Sequence, residues 1–138
     1  MSREKRAQAL VEFALVAPVI ILVMLAILSF GLLFSWRNTL NNAAREGARG
    51  GAVCKTDDEI KQIVSNNTAL LPHSNTVSVN VSATDASGAA LPAGSRARGG
   101  AITVTLSYVA DVVGIPGIMG STKTLVGQST FRMECDTP

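Results

Sequence analysis

Residues 13–36 form an uninterrupted apolar run without a single charged side chain. At about 24 residues and 1.5 Å per helical residue, such a run crosses a hydrocarbon core of roughly 30 Å as one helix. Only about 100 residues remain outside it, so the rest of the chain builds at most one small domain with a modest core that gains from a covalent staple. One carboxylate, Glu12, stands at the entrance. A charge at the centre of a membrane helix costs roughly 2.5–3.5 kcal/mol on insertion scales and less toward the edge. Two readings of Glu12 follow: an edge residue that snorkels to water, or an acid that needs a cation inside an assembly.

The formal charge of +2 for the 138-residue chain misleads about its partners. Arg3, Lys5 and Arg6 less Glu4 account for all of it, and beyond Ala7 nine basic side chains balance nine acidic ones. No basic stripe remains, which sets nucleic acid aside as a partner. The basic leader favours a cytoplasmic N-terminus, but Arg37, Arg45 and Arg49 beyond the run leave charge bias indecisive. The two cysteines, Cys54 and Cys135, have no zinc-ligand spacing. In an oxidising compartment they most simply form one disulfide, closing a loop of about 80 residues for roughly 4–4.5 kcal/mol on the chain-entropy model. Two buried unpaired thiols are the alternative. The bridge is the preferred reading and puts the C-terminal domain outside. A removable signal peptide would have an apolar region of about 7–15 residues and a small-residue cleavage site. The run here is longer and ends in Leu32-Leu33-Phe34-Ser35-Trp36, so it reads as retained, with Trp36 suited to the outer interface belt.

Pro18 inside the run removes one backbone donor and predicts a kink or local loosening. Beyond Trp36 the helical period continues but turns amphipathic, with Trp36, Leu40, Ala43, Ala44, Gly47 and Ala48 on one stripe and Arg37, Asn41, Arg45 and Arg49 available to the polar side. Gly50-Gly51 reads as a stop, giving a first helix over about 9–49. Thr56-Asp57-Asp58-Glu59 is a capping-box signature, and Ile60, Ile63, Val64 and Leu70 or Leu71 predict a short second helix ended by Pro72. Then the period becomes two: Val77, Val79 and Val81 in one strand, and Ile102, Val104, Leu106 and Tyr108 in another. A third strand is predicted within 123–135, with Leu125, Phe131, Met133 and Cys135 on one face. Residues 86–100 and the Gly-Pro-rich 114–120 connect the strands. The predicted fold class is α+β, a long membrane-spanning helix, a short second helix and a small antiparallel sheet.

The stretch Gln8-Ala9-Leu10-Val11-Glu12-Phe13-Ala14-Leu15-Val16-Ala17-Pro18, followed at a distance by Asn42-Ala43-Ala44-Arg45-Glu46-Gly47-Ala48-Arg49, resembles TadE-like pilus proteins, pseudopilins of the tight-adherence (Flp, type IVc) system. The two patches cover the first third of the chain. The resemblance implies a pilin-like fold and a leader, residues 1–7, removed by a prepilin peptidase between Ala7 and Gln8. Glu12 would then be fifth and Phe13 sixth in the mature chain; Ala7 stands where the family usually has glycine. It further implies an assembly helix over 8–50 and an extracytoplasmic domain over 51–138. Inner-membrane lipid, other pilins and the pilus assembly machinery are the implied partners. Glu12 would pair with the new amino terminus, and Pro18, Arg45, Glu46 and Arg49 are helix-interface candidates, the last three equally readable as a solvated face held by local ion pairs.

Catalysis finds little support. His73 is the only histidine and sits beside Pro72 in a predicted loop, and no Ser-His-Asp or Cys-His set is evident. Residues 117–123 place Lys123 last and before a strand, which is not a phosphate-loop order. Asp57-Asp58 suits a helix N-terminus rather than a calcium site. Asn66-Asn67-Thr68 and Asn80-Val81-Ser82 match glycosylation tripeptides that are common by chance. The expectation is a non-enzymatic protein without metal or cofactor. Two rival readings remain: a signal-anchored extracytoplasmic binding or adhesion domain that never polymerises, and a membrane-tethered enzyme, which would need a polar cleft that the sequence does not advertise.

Overall fold

A computed structural model describes residues 3–73, 76–111 and 122–135, and of residues 3, 4 and 6 the backbone. The elements are α1 (Arg3–Ala52), α2 (Asp57–Thr68), β1 (Ser78–Thr84), β2 (Ala101–Asp111) and β3 (Thr122–Arg132), an α+β layout as the change of period predicts. Two compact units result, Met1–Leu33 and Phe34–Pro138. The second includes residues 34–50 of the helix, which the resemblance groups with the membrane segment.

In the first unit the helix runs without a break through Pro18. Its large apolar side chains face outward, Leu15 being 73% exposed. The Ser29 hydroxyl donates to the Leu25 carbonyl at 2.8 Å, so this polar group lies in the apolar run already bonded.

In the second unit Leu40, Ala43, Ala44, Gly47 and Ala48 are buried, as the amphipathic pattern predicts; Trp36 is half-buried, and Ala52 extends the stripe beyond its expected end. The expected stop at Gly50-Gly51 is corrected: α1 passes through both glycines to Ala52. Each glycine is there for room. A Cβ at Gly50 would come within 3.0 Å of Ile63 Cδ1, and one at Gly51 would run into the Ile102 side chain. Packing against those side chains offsets the helix penalty of glycine, about 1 kcal/mol relative to alanine. The end is made by Cys54, in the left-handed region at φ 63°. Its N–H donates to Gly51 O and that of Lys55 to Gly50 O, both at 3.1 Å, the double closure of a Schellman motif.

Thr56 caps α2. Its hydroxyl accepts from the Glu59 N–H at 3.3 Å, and Glu59 Oε2 accepts from the Thr56 N–H at 2.8 Å. That backbone N–H, with the Thr56 hydroxyl, holds the Glu59 carboxyl below its ordinary pKa. Ile60, Val64 and Thr68 are buried, and the helix closes at Thr68 rather than at Pro72. Of the leucine pair, Leu71 enters the core and Leu70 is exposed.

The sheet is a meander of order β1-β2-β3, antiparallel throughout. Ile102, Val104, Leu106 and Tyr108 are all buried, as their alternation predicts. Val77 lies just before β1 rather than in it, and Val79 and Val81 are only half-buried, since β1 is an edge strand. On β3 the predicted face holds, but Phe131 stays partly exposed, and Met133 and Cys135 follow the strand's end at Arg132. Met133 is buried, its N–H bonded to Gly100 O at 2.8 Å. Residues 86–100 are more than a linker: Thr84 bridges to Ala90, and Asp85 Oδ1 accepts from Ser87 Oγ at 2.6 Å and Ala89 N at 2.9 Å. The 114–120 connection and most of the rejected phosphate-loop stretch lie outside the described residues.

Gly127 sets the distance between helix and sheet. A Cβ there would lie 2.7 Å from the Leu40 carbonyl carbon and 2.8 Å from its oxygen. Backbone cannot rotate away as a side chain can, so Gly127→Val is expected to destabilise this unit by about 1–3 kcal/mol or more. Thermal unfolding of the full chain in detergent checks this against Gly31→Ala, where a Cβ meets nothing within 4 Å. Equal melting temperatures for the two variants would mean that the close approach is not needed.

Candidate functional site

Glu12, the one charge between Gln8 and Trp36, lies on α1 one helical turn after Gln8. At i and i+4 the two residues share a helix face. Ala7, Gln8, Glu12, Phe13 and Pro18 are all exposed, Phe13 by 67%. The Ala7–Gln8 bond lies within the helix. An apolar surface continues from Leu10 to Phe34, interrupted by charge only at Glu12. Uncovered apolar area of this extent needs lipid or other helices around it.

Arg45, Glu46 and Arg49 are exposed on the side of α1 away from the buried stripe. Ion pairs among the described residues lie elsewhere: Lys55–Glu59 at 4.0 Å, Lys61–Asp58 at 3.1 Å, and Arg96–Asp57. The local pairs read from the Arg45-Glu46-Arg49 spacing are therefore not formed. That leaves the three side chains to solvent or to a partner.

Cys54 and Cys135 are joined in a disulfide with a Cα–Cα distance of 6.0 Å. The bridge ties the end of α1 to the segment after β3. Beside it Glu134 N–H donates to Ala52 O at 3.1 Å, and Cys135 Sγ lies 3.5 Å from the same carbonyl.

Two arrangements had no signal in the sequence. Arg96, one of two arginines in a Gly/Ala/Ser-rich stretch, is buried and ion-paired with Asp57 in the first turn of α2, pinning the β1–β2 connection to that helix. Asp57 thus serves both the helix dipole and a tertiary contact. Tyr108 donates its hydroxyl to Pro72 O at 2.6 Å, and its ring meets Trp36 edge to face with centroids 6.2 Å apart. Burial, with the Asp111 carboxylate adding to it, pushes the Tyr108 phenol pKa up. Trp36, read from the sequence as an interface residue, is thereby also part of the globular unit's packing. His73 is exposed, and among the described residues no group of three or more His, Cys, Asp and Glu side chains could hold a metal ion.

Together these features define a class: an α+β protein with, among the described residues, one helix long and apolar enough to cross a membrane, near the N-terminus. Residues 7–49 match the family model of TadE-like proteins. The match takes in Ala7, Gln8, Glu12, Phe13, Pro18, Arg45, Glu46 and Arg49 and neither cysteine. No curated protein and no solved structure matches the chain. The family match and the apolar N-terminal helix fit a protein associated with the tight-adherence pilus.

Proposed function

We propose that the protein is a minor pilin, or pseudopilin, of a tight-adherence pilus, a structural subunit rather than an enzyme. The observation that carries this reading is the exposed apolar face of α1 with Glu12 as its one charge, within a segment matched by the TadE-like family. In the inner membrane, N-terminus in the cytoplasm and C-terminal domain outside, lipid covers that face. In a filament the helices cover one another, attracted by close van der Waals packing rather than by a hydrophobic gain over lipid.

Cleavage by a prepilin peptidase between Ala7 and Gln8 serves this exchange. It removes Arg3, Lys5 and Arg6, which are costly to carry into an apolar bundle, and leaves one amine. That amine, the chain's own or a neighbour's, pairs with Glu12. Arg45, Glu46 and Arg49 contact an adjacent subunit, and the disulfide-tied domain lies on the surface or tip of the pilus, extracted there by the assembly machinery.

The test is the amino-terminal sequence of the protein recovered from cells with and without a prepilin peptidase. A mature chain beginning at Gln8 only when the peptidase is present is the expected result. A leader that stays intact in assembled pili would end this mechanism, and an intact leader with no pilus association would leave an anchored domain that does not polymerise.

A further inference from the structure

The two edges of the sheet are guarded differently. β3 carries Lys123 and Arg132 near its two ends, the kind of charge that natural edge strands use against unwanted pairing. β1 has no charge and no proline. The chain covers one end of this edge itself. Leu91 N–H donates to Ala83 O and Asp85 N–H to Ala89 O, both at 2.8 Å, an antiparallel bridge that sets Thr84 against Ala90. At Pro92 the chain turns away, Ser95 N–H closing the turn on Pro92 O at 3.1 Å.

The Ala83 carbonyl thus points away from β2. With a period of two, so do the N–H and C=O groups of Val81 and Val79. Among the described residues none of these four groups has a hydrogen-bond partner. Beside them opens a cleft of about 510 Å³, its other wall formed by Asp57 and Lys61 of α2. Both wall charges are already matched, Asp57 by Arg96 and Lys61 by Asp58, so the cleft selects for neither sign. Val79 and Val81 share a face with their buried partners Leu106 and Val104, yet stay half-buried themselves. Ser78, Asn80 and Ser82 on the opposite face are exposed.

We propose that Ser78–Ser82 is a docking site for an extended segment of another protein, which adds a fourth strand to the sheet. The occupant is a polypeptide because donors and acceptors at this spacing are met in full by another backbone, as residues 89–91 already do one step along the same edge. Its side chains alternate. Apolar ones lie over Val79 and Val81 and complete their burial, and hydroxyl or amide ones lie beside Ser78, Asn80 and Ser82. With α2 as one wall, the cleft takes a single strand more readily than the edge of a second folded copy, which would bring its own α2. The inference concerns the globular unit alone and rests on neither the membrane span nor the pilus role.

Ser78-Val79-Asn80-Val81-Ser82 reads the same in both directions. A peptide of this sequence laid antiparallel on β1 therefore matches valine with valine and serine with serine. That peptide, carrying a fluorescent label and a polyethylene glycol tail, is the probe, and its anisotropy is followed as the full chain in detergent is added. Saturable binding is expected. It should weaken about tenfold or more when both peptide valines are replaced by proline, which removes the two N–H groups aimed at β1. Val81→Pro in the protein should weaken it similarly and still fold, since the lost N–H faces away from β2. The proline peptide needs no altered protein, so it decides the matter should that variant unfold. Equal binding of the two peptides, unchanged binding to folded Val81→Pro, or no saturable binding would each overturn the inference. So would a dimer of the full chain that Val81→Pro abolishes, the mark of a second copy on this edge.

Discussion

Replacing Glu12 with alanine is expected to leave the protein in the membrane and to lower its incorporation into pili by about a hundredfold or more, the equilibrium counterpart of roughly 3–5 kcal/mol for breaking a buried charge pair. Insertion depends on the summed apolar residues of 13–36, which the substitution does not touch, and it removes an unfavourable charge from their edge. Assembly is different. On the proposed pairing, the amine of the mature N-terminus would lose its partner in a dry bundle and stay charged, or give up its proton at a similar cost. Glu12→Asp keeps the charge on a shorter arm and should fall between the parent and the alanine variant. The measurement is pilus-associated protein against membrane-bound protein for each variant, in cells that retain the peptidase. Full incorporation of the alanine variant would leave Glu12 as an edge residue that snorkels, with no part in assembly.

Loss of the disulfide should have the next largest effect. Its cysteines are 81 residues apart, and closing such a loop stabilises by about 4.5 kcal/mol on the chain-entropy model. Small domains have only about 5–15 kcal/mol in total, so Cys135→Ser should raise the unfolded fraction about a thousandfold. Cys54 needs a different replacement, because it also occupies the left-handed turn that ends α1. Cys54→Gly removes the bridge while making that turn easier, and should destabilise somewhat less than Cys54→Ser. Denaturant unfolding of the full chain in detergent, oxidised and reduced, reads all three. A difference below about 1 kcal/mol between oxidised and reduced parent would show that the Glu134–Ala52 hydrogen bond and the surrounding packing hold the terminus without the bridge.

What the sequence determined by itself is whatever a single element expresses along its own length. The membrane-length run, the lone charge at its entrance, the amphipathic stripe from Leu40 to Ala48, the Thr56–Glu59 cap and the alternation in β2 each record which side chains avoid water or which backbone groups need a partner. These signals were legible without knowing what any element would meet. Tertiary structure decided where elements touch. Gly50 and Gly51 look like a helix stop in isolation; a Cβ would crowd Ile63 at the first and run into Ile102 at the second, and the helix continues through both. Gly127 carries no sign of its role until the Leu40 backbone is placed beside it. Arg96 in a loop of small residues says nothing of Asp57, 39 positions away, and Trp36 says nothing of Tyr108. Periodicity reports burial one chain segment at a time, whereas close approach and ion pairing belong to pairs of segments, and their partners appear only once the helix, the sheet and the β1–β2 connection are packed together.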